Sequence, residues 1–302
     1  MHFTHLFVPL TCCRRYYRSE MKGKINFPFA FHSLIRTFAS DMLIKTKAVV
    51  LHALKYGDSR MIVDLFTREA GRLSFIITMP KTQKGRLKKQ YFQPMTLLDV
   101  ECDVRQQAQL QKLRDARLLM PYVTIPLSPE KLALSLFTAE FLYYALRSEQ
   151  RNVPLFDYIS DSMQWLDLAV SGYANFHLTF LMRMSRFLGF YPNLDDDAEG
   201  GRGESLVSQT PGRHSGTVGV RYFDLRAATF VPHVPTHTDF LDREESMRIH
   251  LLMRMDFPTM HLFRLSRQER NRIVDVLLHY YALHIPQFPE LKSLSVLQEL
   301  WA

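Results

Sequence analysis

Cysteine is nearly absent from this 302-residue chain: Cys12, Cys13 and Cys102 are all it has. Two adjacent cysteines and a distant third make no disulfide framework, and such usage fits a reducing cytoplasm. Glycine is sparse, at 12 residues, which argues against phosphate-cradling loops as a main theme. No Gly-x-x-x-x-Gly-Lys-Ser/Thr loop occurs, so ATP hydrolysis is not expected. Gly-x-Ser-x-Gly, His-Glu-x-x-His and Gly-x-Gly-x-x-Gly are missing as well. No cofactor is expected, and no enzymatic activity. No uninterrupted apolar run reaches the roughly 18 residues of a spanning helix, so no membrane segment is expected.

What the chain does have is segregated charge. Residues 42–121 hold 15 Lys and Arg against 7 Asp and Glu. Residues 122–302 hold 17 against 21. A compact basic unit joined to a mildly acidic one suggests a polyanion partner, most commonly nucleic acid. The cations concentrate in Lys81-Thr-Gln-Lys84-Gly-Arg86-Leu-Lys88-Lys89.

Hydrophobic patterning predicts two domains. Strands are expected at Met42–Leu54, Arg60–Thr67, Leu73–Met79, Tyr91–Cys102 and Gln109–Leu119. Turns at Lys55–Ser59 and Arg68–Arg72 join the first three as hairpins. Five short strands suggest a small closed barrel, with an OB-fold leading and an SH3-like barrel reading much the same. After Pro121 the period becomes helical. Ser128 caps a helix with Pro129 at its first position. Further helices are expected at 153–170, at Tyr173–Leu188, after the capping box Ser266–Glu269, and at Leu294–Leu300. The fold class is therefore α+β: an OB-type barrel at 42–121 followed by an all-α domain at 122–302. Residues 195–218, with Asp195-Asp-Asp197 and many small polar residues, read as a mobile insert.

Residues 1–41 lack clean periodicity, and the charge at Arg14 and Arg15 follows the apolar His2–Leu10 instead of preceding it as in a signal peptide. They are expected to be a dispensable extension, disordered or not native. The intact mass of the natively expressed protein tests this, and a chain retaining Met1 would overturn it.

Specific residues carry a family resemblance. Tyr56-Gly-Asp-Ser-Arg60, Leu65-Phe-Thr-Arg-Glu-Ala-Gly-Arg-Leu73, the basic excursion and Gln93-Pro-Met-Thr-Leu-Leu98 resemble, in order, the N-terminal signature of the bacterial recombination mediator RecO family. Arg183-Met-Ser-Arg-Phe-Leu-Gly-Phe-Tyr-Pro192 and the segment from Leu265 to Tyr281 are similar to its helical domain. The resemblance covers roughly residues 43–300. It implies an OB-fold domain and a helical domain, binding of single- and double-stranded DNA, annealing of complementary strands, and help in loading RecA in the RecF pathway. It implies RecR and the acidic C-terminal tail of single-stranded DNA-binding protein as partners, and a nucleoid-associated cytoplasmic location. Many family members carry two cysteine pairs after the Gly-Tyr-x-Pro segment, forming a zinc site. This chain has no cysteine after Cys102, so a cysteine-based zinc site there is impossible.

The candidate DNA-binding residues are Lys81, Lys84, Arg86, Lys88 and Lys89, whose clustered cations release counterions from phosphates. The bland alternative is a solubilising loop. Arg60, Arg68 and Arg72 extend the track, or else pair with Asp58, Asp64 and Glu69. Tyr56 is the better base-stacking candidate, while Phe92 is expected in the core. Arg114, Arg117, Arg147, Arg183 and Arg186 stand near apolar helices, where a basic residue beside a pocket suits an acidic peptide tail; ordinary surface charge is the simpler reading of each. His233 and His237 are separated by Pro235 and are not expected to bind metal. Cys102 is expected to be a buried small hydrophobe. The reading is a non-enzymatic DNA-binding mediator. The alternatives are an adaptor whose basic barrel meets an acidic protein, and a nuclease.

Overall fold

The computed structural model describes residues 42–79, 87–105, 108–193 and 222–299. Residues 1–41, the insert at 195–218, and Lys81, Lys84 and Arg86 lie outside the described residues.

Strands β1 (Met42–Tyr56), β2 (Arg60–Thr67), β3 (Gly71–Thr78), β4 (Leu97–Val104) and β5 (Gln111–Met120) close into a barrel in the order β1-β2-β3-β5-β4. The length of β1 makes closure possible. Its first half pairs with β4, from Met42↔Val104 to Val49↔Leu97, and its second half pairs with β2. A register shift between Val50 and His52 bends the strand from one partner to the other, as bulges do. The parallel pairing of Phe75 and Ile76 with Gln111 and Lys112 completes the ring.

The expected fourth strand begins later than predicted. Lys89–Phe92 forms a 3-10 turn, and Pro94, which lacks an N–H for a ladder, delays the strand to Leu97. Met95 takes a left-handed φ of 64°, and its N–H bonds the Val50 carbonyl at 2.7 Å. Phe92 is buried against the barrel interior, as expected.

The helical half follows as α1 (Pro129–Ala145), α2 (Val153–Leu168), α3 (Phe176–Phe187), α4 (Arg243–Arg254), α5 (Arg267–His284) and α6 (Ser293–Glu299). Ser128 caps α1 through the Lys131 N–H, with Pro129 in the first turn. The capping box of α5 is complete: Ser266 accepts from the Glu269 N–H at 3.2 Å, and Glu269 accepts from the Ser266 N–H at 2.8 Å. A short sheet, ordered β7-β6-β8 from β6 (Tyr222–Asp224), β7 (Thr229–Val231) and β8 (Phe240–Leu241), joins the helices. Its strands are too short for periodicity to reveal. Helix α4 was also missed, although Asp242 caps it by accepting from the Glu245 N–H at 2.8 Å.

The two halves share a core, and the barrel has a second one inside it. Alternate residues of β1 face opposite ways: Ala48 and Val50 fill the barrel, while Val49 and Leu51 join Phe66, Met95 and Leu97 against Phe137, Phe141 and Phe156 of the helices. This double burial explains why Ala48–Leu51 is continuously apolar. Cys102 lies in the barrel interior, where burial raises its thiol to about 11 and leaves it un-ionised.

Candidate nucleic-acid interface

Pairing across β1, β2 and β3 sets three rows on the outer face of this hairpin sheet. His52 pairs with Asp64 and that with Ser74; Leu54 with Ile62 and Ile76; Tyr56 with Arg60 and Thr78.

The first row is closed off by the helical body. Asp64 accepts from the Ser74 hydroxyl and stands 3.7 Å from the Arg72 guanidinium. Arg72 lies 4.6 Å from the centre of the Tyr143 ring of α1 and donates to the Tyr143 carbonyl. The Arg72 side chain is only 12 % exposed. Arg72 is therefore a bracket between layers, not part of an open track.

Arg68 is used in the same way. Its Nε and Nη2 donate to both Asp157 oxygens of α2, at 2.8 and 3.0 Å, the fork geometry that suits a carboxylate. These bonds hold the Asp157 carboxyl below its usual range. Glu69 joins the cluster by pairing with Arg151 at 2.9 Å. Of the two roles considered for Arg68 and Arg72, the structure gives pairing with acidic neighbours, because the β2–β3 turn is seated on the helices.

The second and third rows are open. Leu54 and Tyr56 are 54 % and 53 % exposed, and Ile62 and Ile76 are half-buried. Arg60 is exposed beside Tyr56. Gly57, at φ +68°, makes the turn. The Met79 N–H bonds the Ser59 carbonyl at 2.7 Å, so the chain leaves β3 fastened to the hairpin tip. The next described residue is Leu87, which packs with Tyr91 and Met79 against the barrel interior. Exposed Lys88 and Lys89 follow, with the Lys88 ammonium 5.8 Å from the Tyr91 ring centre. The described chain thus stops at Met79, bonded to the Tyr56–Arg60 hairpin, and resumes at Leu87, Lys88 and Lys89. Lys55, Arg60, Lys88 and Lys89 form no ion pair among the described residues. Sequence reasoning missed Lys55 and the Leu54–Ile62–Ile76 row; the signal for the row was apolar residues at both parities of a strand.

The opposite face differs. Lys45 pairs with Glu101 at 2.7 Å, Arg114 with Asp103 at 2.8 Å and Arg117 with Asp115 at 3.2 Å. Lys47 stands across from Asp99. Three of its cations are matched by carboxylates. Arg114 and Arg117 belong to β5, not to the neighbourhood of a helical pocket.

The other arginines considered for a peptide pocket are engaged locally. Arg147 lies 4.9 Å from the Tyr144 ring centre, Arg186 lies 4.4 Å from that of Tyr191, and Arg183 donates to the Met255 carbonyl at 3.2 Å. His237 pairs with Asp224 at 3.1 Å. Among the described residues no cluster of His, Cys, Asp or Glu suits a metal ion, and no helix is long and apolar enough to cross a membrane.

Fold and site together define an OB-like barrel welded to a helical body, with one hairpin end left cationic, apolar and aromatic. Residues 42–122 match the family model for the recombination protein O N-terminal region, and residues 126–295 match that for its C-terminal region. The chain is 45 % identical over 261 residues to the DNA repair protein RecO of Phocaeicola vulgatus, covering 86 % of this chain and all of that protein. It is 33 % identical over 264 residues to the DNA repair protein RecO of Porphyromonas gingivalis, and 27 % identical over 262 to that of Flavobacterium psychrophilum, again covering 86 % of this chain and all of each relative. This chain belongs to the RecO family of DNA repair proteins.

Proposed function

We propose that this protein binds single- and double-stranded DNA at the open hairpin end of its barrel, anneals complementary strands, and assists RecA loading in the RecF pathway. The supporting observation is that exposed Arg60 beside Tyr56, exposed Lys55 on the same hairpin, and Lys88 and Lys89 at the C-terminal end of the basic segment form no ion pair among the described residues. Lys81, Lys84 and Arg86 add charge to the same excursion. Phosphates release counterions to such cations. The row Leu54, Ile62 and Ile76, continued by Tyr56, offers unpaired bases an apolar surface.

Annealing needs no bond chemistry. Neutralised phosphates lower repulsion between strands, and two strands held together raise each other's effective concentration. RecR and the acidic tail of single-stranded DNA-binding protein are the protein partners of this reading, and the nucleoid is its location.

Changing Lys84, Arg86, Lys88 and Lys89 together to Glu is expected to abolish annealing with the thermal midpoint near wild type. In a salt series with a single-stranded oligonucleotide, losing four phosphate contacts lowers the slope of log affinity against log salt by up to about 3. Unchanged DNA affinity refutes the assignment. An absence of binding even at low salt in the wild-type protein favours the adaptor reading, in which the barrel meets an acidic protein.

A further inference from the structure

A groove of about 500 Å³ runs between α5 and α6, within the size range of ligand sites. Leu278, Phe288 and Leu294 give it an apolar floor, and Asp275 and Glu290 line its rim. No Lys or Arg is among its walls within the described residues. The nearby Arg272 is held by Glu245 at 2.7 Å, and His279, a wall residue, is bonded to Asp239 at 3.0 Å.

The groove is preformed. Helix α6 has seven residues, too few to persist alone, and it is fixed at both ends. At its start Glu140 of α1 accepts from the N–H groups of Lys292 and Ser293, at 3.0 and 2.8 Å. At its end Arg267 donates to the Gln298 carbonyl at 2.9 Å, and the Gln298 amide donates to Asp275 at 2.8 Å. A ligand entering between fixed walls loses little to ordering them.

The geometry points to a docking site for a cationic amphipathic peptide segment of a partner protein. Its apolar side chain fills the floor, and its Lys or Arg side chains face Asp275 and Glu290. An acidic peptide or a nucleic acid backbone meets like charge here, so this groove selects partners opposite in sign to those of the hairpin end.

The test is fluorescence anisotropy of the full chain with two labelled synthetic peptides. They share leucine spacing, and one carries Lys and Arg where the other carries Glu. The cationic peptide is expected to bind and the anionic one not. Asp275→Asn, whose amide oxygen can still accept from Gln298, combined with Glu290→Gln is expected to weaken the cationic peptide by about tenfold, with oligonucleotide binding unchanged and the thermal midpoint lowered only slightly. Each single variant, weaker by roughly threefold, serves if the double variant is unstable. No binding of the cationic peptide, equal binding of the anionic one, or full affinity in the variants overturns the proposal. Tighter binding after truncation at Glu299 would assign the groove to the chain's own end and overturn it equally.

Discussion

Gly71→Ala is expected to loosen the junction between barrel and helices, by an amount that splits into two parts. Gly71 sits at φ +70°, where an L-residue pays roughly 1–2 kcal/mol. An added Cβ would also lie 2.5 Å from the Gln150 carbonyl carbon and 2.7 Å from its oxygen. Both are backbone atoms of the α1–α2 connection, which cannot swing away as a flexible side chain does. Overfilling a well-packed contact costs a further 1–3 kcal/mol or so. The total is about 2–5 kcal/mol, a large share of a typical stability of roughly 5–15. Gly57 supplies the control. Its φ is +68°, yet nothing lies within 4 Å of its ideal Cβ, so Gly57→Ala pays only the backbone part. Urea denaturation of both variants measures the difference through the midpoint, with the slope constant. Equal midpoints for the two variants, or a Gly71→Ala midpoint at the wild-type value, would refute the claim that this turn is seated on the helices.

Two further outcomes follow. His177 is 2 % exposed, and burial, with Arg270 nearby, lowers its pKa to about 3 from 6.5; the neutral form is favoured in the fold, so its contribution is complete above about pH 6.5 and is lost as pH falls toward 3. At pH 5 the loss is about 2 kcal/mol, so His177→Leu should flatten the stability profile between pH 6.5 and 4, and an unchanged profile in denaturant titrations across that range counts against the assignment. Tyr56→Ala should weaken single-stranded DNA by about 1–3 kcal/mol while leaving duplex affinity nearly intact in anisotropy titrations; equal loss on both would remove base stacking from the site.

Much of this architecture is legible in the residues. The bounds of β2 match the reading of Arg60–Thr67, because turn-forming residues flank an apolar run on both sides. The start of α1 is set by Ser128-Pro129, and that of α5 by Ser266 and Glu269. What was not legible depends on contacts far apart in the chain. The sheet of β6, β7 and β8 has strands of three, three and two residues, which are stabilised by their neighbours and not by any pattern of their own. Lys131 looks like a surface helix residue, yet it is buried and donates to the Thr124 hydroxyl and the Asp167 carbonyl at 2.6 and 2.9 Å. No local rule announces that arrangement.

The two hairpin turns show why the site itself was half legible. Tyr56-Gly-Asp-Ser-Arg60 and Arg68-Glu-Ala-Gly-Arg72 are alike in kind: each has a glycine at positive φ, an acidic residue and arginine. Sequence alone gave both sets of arginines the same candidate role. Strand β2 separates them by eight residues, at about 3.4 Å each, so they lie at opposite ends of the barrel wall. The helical body covers one end. There Gly71 touches Gln150, and Arg68 and Arg72 are drawn to Asp157, Asp64 and Tyr143. At the other end Gly57 faces open space, and Arg60 pairs with no carboxylate among the described residues. Which arginines remain available to a polyanion is therefore decided by which end of the barrel the helices occupy. The same contact that stabilises the junction engages Arg68 and Arg72 with acidic and aromatic partners, while Arg60 beside Tyr56 forms no ion pair among the described residues.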